Sequence, residues 1–133
     1  MNVLHELISE WIRKADHDLG MAELALQYKP GYTDAICFHS QQAVEKYLKA
    51  YLTVLQIKFE KSHNLVYLLD LIHEQEVVAD ELYDLLERLE DYAVEVRYPD
   101  ERFEPTLEEA KEAFEIANKL KAYVLDKIAD SNP

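Results

Sequence analysis

Glycine and proline are scarce in this chain, two and four residues out of 133, which leaves little to break it into the many tight turns of a β-sandwich or barrel. Two glycines are also too few for a Gly-rich phosphate loop, and no GxGxxG fingerprint, P-loop or GxSxG nucleophile elbow is present. Cysteine occurs once, as Cys37, so an internal disulfide and a CxxC metal or redox site are both ruled out. Cys37 falls on the apolar side of a helical pattern, where small buried thiols are common, and it is a poor candidate nucleophile. No run of about 18 uninterrupted apolar residues occurs, and the N-terminus has neither a basic n-region nor an apolar h-region. The expectation is a soluble, cytoplasmic protein with no membrane partner.

Ala, Leu, Glu and Lys dominate what remains, a composition that favours long helices. The length suits one domain, residues 1–133, with a proper core. The net charge of −13 argues against a protein that coats duplex DNA, which needs clustered Lys and Arg. That charge is uneven: residues 76–112 hold 14 of the 27 acidic and 4 of the 14 basic residues, net −10, leaving −3 elsewhere. A solvated helix face explains this most simply, and a surface complementary to a basic partner is the alternative.

Apolar residues recur every three or four positions in five segments. The first carries Leu4, Leu7, Ile8, Trp11, Ile12, Ala15, Leu19, Ala22 and Leu26, and Pro30-Gly31 ends it. The second runs from about Thr33, a plausible N-cap, to about Gln56. The third starts near Ser62, also a capping type. The fourth carries Leu82 to Val96 and stops near Arg97, because Pro99 disfavours helical geometry in the residue before it. The fifth opens on Thr106-Leu-Glu-Glu109, a capping box. The pattern predicts an all-α, antiparallel up-and-down bundle of about five helices, with the third and fourth on the outside.

The second segment is the most informative. Its apolar residues, among them Ile36, Cys37, Val44, Tyr47, Leu48, Tyr51 and Leu52, cover an arc of about 200°. So wide an arc belongs to a central helix or to one shared with a second subunit. The remaining strip holds His39, Gln42, Lys46, Lys49 and Thr53 in one line. Such a strip is ordinarily a wet face, but a histidine, an amide and two lysines in a row also suit an anionic ligand such as a nucleotide phosphate. Ser40 and Gln41 project into the apolar arc and need hydrogen-bond partners, which a subunit interface could supply. Asp16, His17 and Asp18 resemble metal ligands only as a string, since consecutive helical residues point about 100° apart. No metal site and no cofactor are expected. His63 is expected to pack or hydrogen-bond at the start of the third helix, and His5 and His73 to be exposed.

Three stretches in order resemble the HEPN domain family: Trp11-Ile-Arg-Lys-Ala-Asp-His-Asp-Leu19, then Ala35-Ile-Cys-Phe-His-Ser-Gln-Gln-Ala-Val-Glu-Lys-Tyr-Leu-Lys-Ala50 followed by Ser62-His-Asn-Leu65, and Arg97-Tyr-Pro99. The resemblance implies a five-helix bundle that dimerises through its long helices. It also implies roles in nucleotide binding, RNA cleavage or pairing with a minimal nucleotidyltransferase, including toxin-antitoxin pairs. Ribonuclease members of the family use an Arg-x4-6-His motif. Arg13, Arg88, Arg97 and Arg102 are the arginines here, and none has a histidine at that spacing. The expected function is therefore a non-catalytic homodimeric module, with His39, Gln42, Lys46, Lys49, Arg97 and Tyr98 as ligand-binding candidates and no catalytic residue assigned. The alternative is a metal-independent ribonuclease that brings Arg97 close to His39 or His63.

Overall fold

The computed structural model describes residues 2–93 and 104–131. Arg97 and Tyr98 lie outside them, and the fourth helix, expected to run to about Arg97, already ends at Tyr92 with Ala93 as its cap. Five helices, α1 (Val3–Tyr28), α2 (Thr33–Val54), α3 (Leu65–His73), α4 (Asp80–Tyr92) and α5 (Leu107–Ser131), form an all-α bundle with no strand among the described residues.

α2 is the central element. It packs on each of the other four helices, while α1 and α5 touch each other and α3 and α4 pack together on its remaining side. Ile36, Cys37, Ala43, Val44, Tyr47, Leu48, Ala50 and Leu52 are fully enclosed within the single chain. The wide apolar arc therefore reflects centrality in the bundle. Residues from every helix close the core around it, including Ala15 and Ala22 of α1, Leu68 of α3, Leu86 of α4 and Leu120 of α5. Small alanines on α1 let two long helices approach closely.

Helix starts differ in part from expectation. The capping box of α5 forms, with Glu109 N donating to Thr106 Oγ1 at 3.1 Å and Thr106 N donating to Glu109 Oε1 at 2.9 Å. For α3 the cap is Asn64 rather than Ser62: Asn64 Oδ1 accepts from Tyr67 N at 3.0 Å, while Ser62 Oγ accepts from Asn64 N just outside the helix. Thr33 is not a cap either. It is the first helical residue of α2, whose N-cap position is Tyr32 without a side-chain bond, and the next residue, Asp34, supplies an acceptor for Ala35 N. α4 turns out of helical geometry at Ala93, which caps it.

Candidate functional site: a polar cleft beside the central helix

The strip on α2 is not a wet face. His39, Gln42 and Lys46 are half-buried, and Lys49 and Thr53 are buried, because a helix surrounded by four others has little surface left for water. α1 supplies the counter-charge: Asp18 Oδ1 lies 2.9 Å from His39 Nδ1, and Asp18 Oδ2 accepts from Lys46 Nζ. Lys49 turns inward. Its ammonium donates to Glu45 Oε2 at 2.9 Å and stands 5.4 Å from the Trp11 ring centre and 5.9 Å from that of Phe59. Aromatic faces and one carboxylate thus replace the water that a buried ammonium gives up.

Glu45 joins this strip to a cleft. The carboxylate is buried, and its other oxygen, Oε1, lies 2.7 Å from His63 Nδ1 in the segment leading into α3. A carboxylate paired with lysine can only accept, so Nδ1 carries the proton and Nε2 is the ring nitrogen left to meet a ligand. The backbone of His63 is fixed as well, because Gln41 Nε2 donates to its carbonyl at 3.0 Å. Gln42 Nε2 in turn donates to Gln41 Oε1 at 2.8 Å. The His63 side chain itself is 78% exposed.

The resulting cleft encloses about 240 Å³ and is lined by Phe38, Gln41, Gln42, His63, Asn64, Glu90 and Ala93. It lies where α2, the start of α3 and the end of α4 converge. Glu90 Oε1 accepts from Leu65 N, so Asn64 and Glu90 between them satisfy two N–H groups in the first turn of α3. Polar groups converging on an apolar wall formed by Phe38 and Ala93 are the features of a small-molecule site.

The other candidates take structural places. Asp16 accepts from Tyr47 Oη and from Lys121 Nζ, whereas Asp18 serves His39 and Lys46, so these two carboxylates face different neighbours. Among the described residues no group of three or more His, Cys, Asp or Glu could hold a metal ion. Cys37 is fully buried, and burial, then the nearby charges of Glu109 and Asp34, push its thiol up to about 12, far from a nucleophilic thiolate. Gln41 finds its partner inside the chain. Ser40 Oγ has none among the described residues, and since Ser40 is fully enclosed by its own chain, a second subunit cannot reach it. His5 and His73 are exposed, and His73 Nδ1 accepts from Val78 N at 3.0 Å.

Three residues of this site were not singled out from sequence: Glu45, Asp18 as an ion-pair partner, and Glu90. A signal existed for the first. Glu45 and Lys49 stand four residues apart in a helix whose other positions nearby are largely apolar, and charges at that spacing pair.

Fold and site together define a small all-α module with a polar cleft of about 240 Å³ against its central helix. The HEPN domain model matches residues 8–128, and the chain belongs to the HEPN domain family. The structure is similar to the crystal structure of an archaeal HEPN homologue, with a TM-score of 0.73 and 27% sequence identity over 91% of this chain and 97% of that one. Among curated proteins, none matches the chain.

Proposed function

We propose that the chain is a non-catalytic, homodimeric HEPN module that binds a nucleotide or related anionic ligand beside α2 and pairs with a minimal nucleotidyltransferase, as in a toxin-antitoxin system. The observation that carries the ligand half is the cleft with its fixed imidazole and amides. Gln42 lines it, and His39 and Lys46 continue from Gln42 along the same line of α2. Lys46 gives Asp18 one of three N–H groups, which leaves donors for a phosphate at the half-buried edge of the strip. Lys49 serves indirectly, through Glu45. Arg97, four residues beyond Ala93 in the chain, would supply a planar bidentate donor, with Tyr98 beside it.

Self-association finds support on α1, where Met21, Leu24 and Tyr28 follow one another at helical spacing and are each more than half exposed. Such an apolar stripe suits a subunit contact. No helix among the described residues is long and apolar enough to cross a membrane.

Isothermal titration of the chain with a panel of nucleotides tests the ligand half, and no binding at millimolar concentration removes it. Sedimentation of the chain beside a Leu24→Asp variant tests the dimer. A pull-down from the source cell tests the partner, and recovery of no transferase counts against it.

One observation favours a second reading. Held at Nδ1 by Glu45 and largely exposed, His63 is a better-placed acid-base group for a ribonuclease than His39, whose side chain is 26% exposed. Incubation with total RNA beside Arg97→Ala and His63→Ala variants decides it: equal or absent cleavage by all three sinks the ribonuclease.

A further inference from the structure

We propose that His63, oriented through Nδ1 by the buried Glu45, accepts at Nε2 a hydrogen bond from an uncharged donor, so that the cleft holds the nucleoside half of a nucleotide and not its phosphates. This rests on the ligand reading above and assigns the cleft to one half of that ligand.

Charge is the first argument. Lys49 pairs with Glu45 from inside the bundle at 2.9 Å, and the carboxylate of Glu90 lines the cleft. A phosphate there would meet a like charge at a site partly shielded from water, where repulsion is poorly screened. A ring carrying amino, imino or hydroxyl groups meets no such penalty. Glu90 can accept from it, and the Gln42 side chain offers the amide edge that reads bases elsewhere.

Geometry is the second. His63 is tied at two points, the ring by Glu45 Oε1 at 2.7 Å and the carbonyl by Gln41 Nε2 at 3.0 Å. With Nδ1 committed to the Glu45 carboxylate at 2.7 Å, Nε2 is the ring nitrogen left for a ligand, and on an uncharged ring its lone pair takes a donor. Glu45 and Lys49 are thus positioning residues: they fix which nitrogen is presented, and neither lines the cleft. The volume of about 240 Å³ is several times the roughly 30 Å³ that a water molecule occupies in the liquid, enough for a heterocyclic base against Phe38.

The test is a titration of the whole chain, with its histidine ring nitrogens labelled with ¹⁵N, by adenosine, guanosine, cytidine and uridine, and separately by pyrophosphate. The expected result is that the free protein shows His63 protonated at Nδ1, that at least one nucleoside moves its Nε2 resonance, and that pyrophosphate does not. His63→Ala, at an exposed side chain, should weaken nucleoside binding about tenfold, the worth of one such bond. Glu45→Gln should mix the two tautomers; should it fail to fold, Glu45→Gln combined with Lys49→Met removes both buried charges and serves instead. Pyrophosphate moving the His63 signal while nucleosides do not, or His63→Ala binding nucleosides as tightly as the parent chain, overturns the proposal. Nucleotides that bind without touching His63 overturn it too while leaving the ligand reading intact, whereas no binding of any nucleotide removes both.

Discussion

Glu45 and His63 stand 18 residues apart in the chain, yet Glu45 Oε1 and His63 Nδ1 meet at 2.7 Å. That contact ties the central helix to the segment entering α3, and Lys49 Nζ donates to the other oxygen of the same buried carboxylate at 2.9 Å. Removing one partner of a buried pair exposes the other to a medium that cannot solvate it. Lys49→Met alone is therefore expected to cost roughly 3 to 5 kcal/mol, and Glu45→Gln with Lys49→Met much less than the sum of the two singles. Urea denaturation of the two singles and the double checks this; additive losses would show that the pair is not coupled.

Alkaline pH should unfold the protein through its tyrosines. Burial, then hydrogen bonds to Asp16, Glu76 and Asp70, push the phenols of Tyr47, Tyr51 and Tyr83 well above their usual 10. For Tyr92 the hydrogen bond to Glu112 comes first and burial second, raising it to about 12. A raised folded-state value means that the native state holds its proton after the unfolded chain has lost it. Stability from these groups is complete below about pH 10 and declines as pH rises through 12 and beyond. Phenolate absorbance should therefore rise in step with the loss of helical circular dichroism, at least for these four rings. Their early titration in a still-helical protein would contradict it.

Cys37 should be inert in the folded state. Its thiol is fully enclosed and pushed up to about 12, so almost no thiolate exists near neutral pH and no reagent can reach it. Aromatic disulfide reagents should modify it only at the rate of unfolding. Rapid stoichiometric reaction under native conditions would refute the burial.

The start of α5 depends on one hydroxyl. Thr106→Ala removes the bond to Glu109 N and is expected to cost about 1 kcal/mol. Thr106→Ser should restore most of it. Thermal melts of the three proteins give the comparison, and an alanine variant as stable as the parent would mean that water caps the helix equally well.

Sequence alone determined the number of helices, the five-helix class, and the central place of α2 as one of two possibilities, because burial on every side forces an apolar arc too wide for a surface helix. It also determined the capping box of α5, whose partners are three residues apart and need no tertiary contact. The cap of α3 is Asn64 and not Ser62, since both are capping types and only the path of the backbone chooses between them. The fate of the polar strip was decided by the fold. Whether Lys49 faces water or the Trp11 ring depends on where α1 and the linker carrying Phe59 lie, and whether His63 has a partner depends on a carboxylate a full segment away. Local spacing is legible because helix geometry repeats, whereas ion pairs and clefts between helices arise only once the bundle has brought distant segments together.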